Sequence, residues 1–361
     1  MTALPLVVND AASLRRRVTA LAENRPGVYR MINSVGRVIY VGQSKSIRNR
    51  LLSYFRATDH REKAARIMQA THDLEWQYTP SEFASRLREL TLIREHRPPY
   101  NVRMNRARNV AFIKLAGSPA PKLYVGRTHS TADLKVYGPV RSPARVREGV
   151  RVLNDLLGLR DCALDMPMTY SEQTDLFAPS QRAGCIRYEL STCLGPCAGF
   201  VSEQDYDARI AEAVGFLESR TVDPLNRVIK IMDRQSKVRE FETARRWRDK
   251  FEALEWLFAE VNRARATLDA LTFVYIDPGT FGDDRAYMIR HAEVVATAAA
   301  PHTPIEREAF TALLSEHTAP RAAPSSLDPD KIDEKLLVLS WFKRHPSALR
   351  STYSFSHWLD A

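Results

Sequence analysis

The chain has 361 residues, of which 44% are hydrophobic and 27% are charged, and its formal net charge is +10 at pH 7. No run of about twenty apolar residues occurs, and residues 1–10 lack the apolar run of a signal peptide, so the composition excludes a membrane-spanning protein. The expected location is the cytoplasm, where a reducing environment disfavours structural disulfides.

A β-hairpin is predicted near the amino terminus, with strands at 28–32 and 37–41 that are rich in Val, Ile and Tyr. The four residues between the strands form a turn. In such an antiparallel pair, Tyr29 and Tyr40 lie roughly opposite one another and project from the same face. Gly42 is expected to end the second strand.

A helix is predicted directly after the hairpin. Ser44 is placed to cap this helix, and its apolar residues are Ile47, Leu51 and Leu52. Tyr54 follows Arg50 by one helical turn. Three basic residues bring positive charge close to the two phenols of the hairpin: Lys45, Arg48 and Arg50.

A second helix is predicted at 81–97, and the pair Pro98-Pro99 ends it. Its apolar stripe comprises Phe83, Leu87, Leu90 and Ile93. Glu89 lies beside this stripe, where its carboxylate can point across at the hairpin.

An ordered set of residues links these elements: Tyr29, Tyr40, Gly42, Arg50, Tyr54, Glu89 and Asn101. Each residue alone is commonplace, since tyrosines and glycines in a hairpin usually serve packing and turns. Their order and spacing, however, resemble the GIY-YIG nuclease family, and most closely the amino-terminal nuclease domain of the UvrC family of bacterial nucleotide excision repair.

The resemblance implies a metal-dependent phosphodiester hydrolase. Glu89 would be the single carboxylate that binds Mg²⁺ or Mn²⁺. Tyr29 would activate the attacking water, either as a phenolate base or by positioning the water, and Tyr40 would support it by hydrogen bonding. Arg50 would neutralise the charge that grows on the phosphoryl oxygens. The resemblance also implies that Tyr54 and Asn101 position the substrate or the catalytic side chains.

The charge distribution favours a partner rich in phosphate. Residues 1–110 contain 20 Lys and Arg against 9 Asp and Glu, so the positive excess of the chain is confined to this segment. A basic face is often merely solvated, but here it coincides with the nuclease motif and predicts DNA binding without sequence readout. The candidate DNA contacts are Gln43, Lys45, Arg48 and Arg50.

Gln43 departs from the family pattern, in which close relatives often have Lys. A neutral amide cannot supply the same charge. Either Lys45 substitutes for that lysine, or the position only donates and accepts hydrogen bonds.

A connecting layer is predicted next, with strands near 112–115 and 122–124 and a helix at 143–157. The tripeptide Tyr137-Gly138-Pro139 is interpreted as a turn. A similar turn and helix occur in the UvrC family.

Four cysteines follow: Cys162, Cys185, Cys193 and Cys197. They lack the C-x-x-C pairs that are typical of zinc sites, and free buried thiols remain an alternative. The segment resembles the cysteine-rich region of the UvrC family, which implies that the four cysteines hold a [4Fe–4S] cluster, with Zn²⁺ as the alternative. The spacing between Cys162 and Cys185 is longer than the family usually has, which predicts an inserted loop.

A strong helical period from 224 to 258, broken near 238–240, predicts a helical hairpin. The simplest interpretation is an amphipathic hairpin that packs on its own domain. The sequence from Phe241 also resembles the UVR motif by which UvrC proteins engage their partner UvrB. The partner-binding residues that this resemblance implies are Phe241, Ala244, Phe251 and Leu254.

The last hundred residues are predicted to form a hairpin at 271–276 and 285–291, a linker at 319–330 and a final helix at 331–345. Three acidic residues of this region are interpreted as turn residues rather than metal ligands: Asp277, Asp283 and Asp284.

The predicted fold class is α+β, with a small GIY-YIG antiparallel sheet flanked by helices, a cysteine-rich helical linker, a UVR-like hairpin and a small α/β tail. The expected segments are 20–110 for the nuclease, 111–160 for the connecting layer, 161–223 for the cysteine-rich region, 224–260 for the hairpin and 261–361 for the tail.

The resemblance spans residues 20 to about 260 and implies a single-nuclease UvrC homologue of the Cho type. Such a protein would cut damaged double-stranded DNA on the 3′ side of a lesion together with a UvrB-like protein. Two alternatives remain, a structure-specific repair nuclease independent of UvrB and a weakly catalytic DNA-binding adaptor.

Overall fold

The structure is a computed structural model that describes residues 10–56, 62–101, 110–127, 133–173, 185–318 and 329–359. The chain forms two compact units, one comprising residues 1–106, 269–320 and 330–361 and the other comprising residues 107–268 and 321–329. The mixed helix and strand content with antiparallel sheets confirms the predicted class.

The amino-terminal part of the first unit contains a three-stranded antiparallel sheet and four helices. The elements are α1 (Ala11–Leu21), β1 (Gly27–Ile32), β2 (Val38–Ser44), α2 (Ile47–Tyr54), α3 (Lys63–Gln69), β3 (Asp73–Tyr78) and α4 (Glu82–His96). The strand order is β2-β1-β3, so β2 is an outer strand. One face of the sheet packs on α1, α2 and α3, and the other face packs on α4.

The hairpin is present, but its register differs from the prediction. Tyr29 pairs with Gly42, and Tyr40 pairs with Met31, so the two tyrosines are not opposite one another. A register shift after Met31 moves the pairing. Both phenols still lie on the same face, with ring centroids 6.1 Å apart.

Two details around Gly42 were predicted wrongly. Gly42 does not end the strand, because β2 continues to Ser44. Ser44 does not cap α2, because its hydroxyl accepts a hydrogen bond from the Ser46 amide. Instead the side chain of Asn24, in the loop before β1, accepts a hydrogen bond from the Asn49 amide in the first turn of α2 (3.1 Å) and satisfies that helix end.

The predicted helix at 81–97 is confirmed as α4. Ser81 caps it, since its Oγ accepts a hydrogen bond from the Ala84 amide at 3.0 Å. Arg97 adopts a left-handed conformation (φ +42°) that ends the helix before Pro98. The predicted apolar stripe of α4 is buried, except for Leu87, which is half-buried.

The second unit begins with β4 (Val110–Ala116), β5 (Lys122–Gly126), β6 (Asp133–Arg141) and α5 (Pro143–Leu157). Both predicted strands and the helix are confirmed. The tripeptide at Tyr137 is not a turn, because it lies inside β6. A bulge opposite Ala111 and Ile113 accommodates Gly138, whose φ is +125°.

The rest of the second unit is helical, with α6 (Ile186–Glu189), α7 (Glu203–Leu217), α8 (Asp223–Lys237) and α9 (Phe241–Ala270). The predicted break between α8 and α9 is confirmed, and Arg239 has a φ of +62° there. Helices α7, α8 and α9 share one hydrophobic core with the β4–β6 sheet and α5. The inserted loop predicted before Cys185 falls on residues 174–184, outside the described residues.

The carboxyl-terminal part of the first unit contains β7 (Phe273–Asp277), β8 (Arg285–Arg290), β9 (Glu293–Ala299), α10 (Pro304–Thr318), α11 (Pro329–Arg344), β10 (Thr352–Tyr353) and α12 (Phe355–Leu359). The sheet order is β10-β7-β8-β9. The predicted hairpin and final helix are confirmed, whereas β9 and α10 were not predicted. Residues 319–328 of the predicted linker lie outside the described residues.

The three acidic residues of the β7–β8 connection differ in role. Asp283 and Asp284 accept hydrogen bonds from the Phe281 and Gly279 amides and are turn residues, as predicted. The prediction for Asp277 is wrong, because this residue is only 3% exposed at the end of β7. Its carboxylate accepts hydrogen bonds from the Tyr275 and Ser81 hydroxyls.

In the part of the chain that the structure describes, no helix offers an eighteen-residue stretch apolar enough to cross a lipid bilayer.

Candidate active site

Three of the candidate catalytic side chains form one hydrogen-bonded cluster. The phenol oxygens of Tyr29 and Tyr54 are 2.9 Å apart. Arg50 joins them, since its Nε donates to the Tyr29 hydroxyl and its Nη2 donates to the Tyr54 hydroxyl, both at 3.2 Å. The Arg50 guanidinium also lies 4.8 Å from the centroid of the Tyr54 ring.

Two glycines of the hairpin, Gly27 in β1 and Gly42 in β2, allow this cluster to form. Tyr29 lies on the central strand β1, and its ring crosses Gly42 on the outer strand β2. A Cβ atom at position 42 would overlap the end of the Tyr29 ring. A Cβ at Gly27 would likewise overlap the backbone carbonyl of Gln77 on β3. Glycine is therefore required at both positions for steric reasons.

Tyr40 completes a group of three rings. Its centroid is 6.1 Å from that of Tyr29 and 6.3 Å from that of Tyr54. The ammonium group of Lys63 lies 5.1 Å from the Tyr40 centroid. The sequence reasoning missed Lys63, because α3 carries no recognisable motif and only the tertiary fold brings it to the phenols.

The Tyr29 phenol is neutral in the metal-free protein. Burial raises its pKa well above the ordinary value, the nearby Tyr40 raises it further, and the positive charge of Arg50 only partly opposes this effect. Burial also raises the pKa of Tyr54. A phenolate at neutral pH would need additional positive charge near Tyr29.

Glu89 belongs to α4 and forms no hydrogen bond with the phenol cluster among the described residues. It precedes Leu92 and Ile93 by three and four residues, and these two pack against Val28 and Val41 of the hairpin. Glu89 therefore lies on the side of the helix that faces the hairpin. Within the described residues its carboxylate has no hydrogen bond or salt bridge. Burial raises its pKa to about 7, and the charge of Arg86 opposes the shift.

This raised pKa predicts how the stability of the metal-free protein depends on pH. The unfolded chain ionises Glu89 near pH 4.5, whereas the folded chain does so near pH 7, so stability falls as pH rises through this interval. We expect Glu89→Gln to increase the free energy of unfolding by about 1–3 kcal/mol at pH 8 and to change it little at pH 4.5. Urea unfolding with EDTA at both pH values measures the difference. An equal effect at both would contradict this assignment.

Asn101 acts on the backbone of the outer strand. Its Oδ1 accepts from the Val41 amide at 2.9 Å, and its Nδ2 donates to the Val41 carbonyl at 2.8 Å. The Tyr100 amide adds a hydrogen bond to the Ile39 carbonyl. Asn101 therefore fixes β2 between Tyr40 and Gly42, which agrees with the positioning role that the resemblance implies.

The other candidate DNA contacts do not converge on the cluster. Lys45 forms a salt bridge with Glu82 at 2.7 Å, which joins the end of β2 to the start of α4. Arg48 is half-buried on α2. The side-chain oxygen of Gln43 is buried and accepts no hydrogen bond among the described residues.

Comparison with known families identifies two consecutive domains in the chain. Residues 25–102 match the model of the UvrC-like GIY-YIG domain, and residues 110–216 match the model of the UvrC/Cho excinuclease middle domain. The chain belongs to the UvrC family. The predicted resemblance and the predicted enzyme class, a GIY-YIG endonuclease, are thereby confirmed at the level of the domain.

Relatives within the UvrC family match most of the chain. The UvrABC system protein C of Dehalococcoides mccartyi strain CBDB1 is 26% identical over 341 residues, which is 92% of this chain and 54% of that protein. The UvrABC system protein C of Ectopseudomonas mendocina is 32% identical over 235 residues, which is 65% of this chain and 37% of that protein. The chain thus spans about half the length, or less, of these relatives.

A solved structure also matches the first domain. The magnesium-bound GIY-YIG N-terminal endonuclease domain of UvrC from Thermotoga maritima is 35% identical. The match covers 26% of this chain and 99% of that domain, with a TM-score of 0.23.

The four cysteines lie in one region of the second unit. Burial raises the pKa of Cys193, and the neighbouring Cys185 and Cys197 add to the shift. Burial also raises the pKa of Cys197, with contributions from Cys162 and Cys185. Cys185 is thus within electrostatic range of Cys193 and Cys197, and Cys162 is within range of Cys197. Among the described residues, however, no three Cys, His, Asp or Glu side chains are arranged to hold a metal ion.

The residues predicted to bind a partner differ in exposure. Phe241, at the start of α9, is 66% exposed, whereas Ala244 and Phe251 are partly buried. Leu254 is fully buried in the core of the second unit. Leu254 therefore belongs to that core and not to a partner surface, because a side chain packed inside its own unit offers no surface to another protein.

Proposed function

We propose that this protein is a metal-dependent DNA endonuclease of nucleotide excision repair, which hydrolyses one phosphodiester on the 3′ side of a lesion in damaged double-stranded DNA. The observation that carries the proposal is the hydrogen-bonded cluster of Tyr29, Tyr54 and Arg50 inside a UvrC-like GIY-YIG domain. The basic amino-terminal segment supplies the phosphate affinity. The protein would act in the cytoplasm.

In this mechanism Glu89 would hold a divalent cation, Mg²⁺ or Mn²⁺. The Glu89 carboxylate is half-buried and has no hydrogen bond or salt bridge among the described residues, which fits that role. A bound cation would offset the free-energy cost of burying its negative charge. The cation, when bound, supplies positive charge that polarises the scissile phosphate.

The remaining steps belong to the cluster. The Tyr29 hydroxyl orients the attacking water, and Tyr54 and Arg50 hold that hydroxyl in place through the hydrogen bonds described above. Arg50 also neutralises charge on the non-bridging phosphoryl oxygens as the water oxygen bonds to phosphorus. The bond from phosphorus to the leaving sugar oxygen breaks, and that oxygen takes up a proton from solvent, which balances the proton that the attacking water releases.

We further propose that Cys162, Cys185, Cys193 and Cys197 hold a [4Fe–4S] cluster. The support is the resemblance of the segment to the cysteine-rich region of the UvrC family and the two N–H donors aimed at the sulfurs, one from Arg160 to Cys162 and one from the Gly195 amide to Cys193, both at 3.4 Å. Such hydrogen bonds stabilise thiolates that ligate metal. The alternative occupant is Zn²⁺.

Anaerobic purification tests this assignment. We expect a brown protein with about four iron and four sulfide per chain, and a Cys197→Ser variant that loses most of both. Metal analysis that finds one zinc and no sulfide would establish the alternative. Purified protein with neither metal would overturn the proposal.

A UvrB-like protein is the proposed partner, and the exposed end of the α8–α9 hairpin is its proposed contact. Two apolar side chains are exposed at this end, Val238 and Phe241, and Ile229 is exposed in the middle of α8. Burying them against a second apolar hairpin would remove their apolar area from water.

Nicking of a damaged duplex, with and without the damage-loading proteins, tests the whole proposal. We expect Mg²⁺-dependent cutting that requires the loading proteins and that falls about 100-fold or more in Tyr29→Phe. Cutting that ignores the loading proteins would favour an independent structure-specific nuclease. Absence of cutting under every condition would favour a DNA-binding adaptor, the second candidate, which the neutral Gln43 supports.

A further inference from the structure

The helix that carries Glu89 has two supports. Its carboxyl-terminal half packs on the hairpin through Leu92 and Ile93. Its first turn packs on the carboxyl-terminal part of the same unit, through Phe83, which is 0% exposed. Glu89 lies between these two regions of α4.

The Phe83 ring is enclosed by aromatic side chains of the carboxyl-terminal part. The ring centroids of Tyr287, Trp341 and Tyr275 lie 4.9, 5.2 and 5.4 Å from that of Phe83, and the rings of both tyrosines are nearly perpendicular to it. Phe342 completes the enclosure at 6.5 Å. Edge-to-face contacts of this kind stabilise a pair beyond the burial of its area and restrict its orientation.

A second contact fixes the start of the helix. The hydroxyl of Ser81, which caps α4, donates a hydrogen bond to the buried carboxylate of Asp277. The adjacent turn adds a backbone hydrogen bond from the Thr280 amide to the Pro80 carbonyl at 2.9 Å. The ring of Phe281 lies 4.0 Å from the Arg25 guanidinium. The β7–β8 connection is thus bound to the residues that start α4.

The third contact is made by α11. Trp341 and Phe342, near its end, contact Phe83 near the start of α4. The charge of Arg94, near the end of α4, also acts on Glu334 of α11 and opposes the burial that raises the pKa of Glu334. α4 therefore contacts the hairpin on one side and α11 on another.

From these contacts we infer that residues 269–318 and 329–359 are a positioning element of the nuclease, which holds α4 so that Glu89 meets the cation at the site next to the hairpin. Phe83 and Asp277 are its positioning residues. A helix held at one end only would let Glu89 move relative to Tyr29 and Arg50, and displaced supporting groups weaken metal sites. This inference rests on the proposed role of Glu89 as the metal ligand.

The test uses the full-length chain and compares Phe83→Ala and Phe83→Leu with wild type. The readouts are Mn²⁺ affinity by titration calorimetry and the Mg²⁺ concentration that half-saturates nicking. We expect Phe83→Ala to weaken both about 10-fold or more, with a nicking rate at saturating Mg²⁺ within about threefold of wild type. Phe83→Leu, which keeps an apolar group in the cage, should recover most of the affinity.

Asp277→Asn serves as a second variant if Phe83→Ala fails to fold by circular dichroism, and we expect it to weaken Mn²⁺ binding about threefold or more. Glu308→Gln, an exposed carboxyl-to-amide change on α10, is the matched control and should bind Mn²⁺ as wild type does. If Phe83→Ala folds and binds Mn²⁺ with wild-type affinity, the inference is overturned. If Asp277→Asn replaces that variant, wild-type affinity in Asp277→Asn overturns it.

The same titration separates this inference from the proposed function. If wild type neither nicks nor binds Mn²⁺, or if Glu89→Gln binds Mn²⁺ as wild type does, the proposed function fails. If Glu89→Gln loses binding while the Phe83 and Asp277 variants keep it, only the positioning role fails.

Discussion

Replacing Glu89 by Gln is expected to reduce Mg²⁺-dependent nicking about 1,000-fold while leaving the fold intact. The change removes the negative charge that would bind the cation, and a bound metal contributes several kcal/mol of transition-state stabilisation. The amide is similar in size and is favoured by burial, because the carboxylate at this position already has a pKa raised to about 7. Single-turnover nicking of a labelled damaged duplex measures the loss.

The matched control is Glu95→Gln, an exposed change on the same helix. It should cut at the wild-type rate, since its side chain points to solvent. Equal rates for Glu89→Gln and wild type at saturating Mg²⁺ would show that the cation, if required, is held elsewhere.

Gly42→Ala is expected to damage both activity and stability. Its new Cβ would overlap the Tyr29 ring, which must then move away from Tyr54 and Arg50. A displacement of about 1 Å at a reacting group can reduce the rate about 100-fold, and overpacking lowers the free energy of unfolding by about 1–3 kcal/mol. Urea unfolding and nicking, measured on the same preparation, give the two effects.

Gly36→Ala in the turn of the same hairpin separates these effects. Gly36 has a φ of +78° and no neighbour within 4 Å, so alanine there costs about 1–2 kcal/mol through its backbone conformation alone. We expect Gly36→Ala to lose stability but to keep its nicking rate. Equal nicking by Gly42→Ala and Gly36→Ala would contradict the role of Gly42 beneath the Tyr29 ring.

The local elements of the nuclease domain could be predicted from the sequence because their signals are local. The apolar spacing of α4 and the Pro98 stop define that helix within a residue at each end. Alternation of Val, Ile and Tyr defines the hairpin strands. The face shared by Tyr29 and Tyr40 follows from strand periodicity, which survives a shift of two residues in register.

The errors arose where a distant contact decides the outcome. The register shift after Met31 leaves no clear mark in the sequence, and Gly42 looks like a strand breaker until the Tyr29 ring is placed across it. Asp277 occurs in a stretch rich in turn residues, yet its partner Ser81 lies 196 positions away. Spacing within the carboxyl-terminal segment could not indicate a contact with the start of α4.

The helical hairpin illustrates the same limit on a smaller scale. The helical period correctly located the break after Lys237 and the apolar positions of the second helix. It could not distinguish apolar residues that pack inward, such as Leu254, from those that remain exposed, such as Phe241. Only the position of the neighbouring core decides this.

Anomalous diffraction from crystals grown with Mn²⁺ tests the central claim most directly. We expect one strong peak in the nuclease domain, about 2 Å from a Glu89 carboxylate oxygen and on the side of the site where the Tyr29 hydroxyl and the Arg50 guanidinium meet. Mn²⁺ bound in the nuclease domain but away from Glu89, or bound to Glu89 with Tyr29 and Arg50 too distant to touch the same phosphate, would contradict the account.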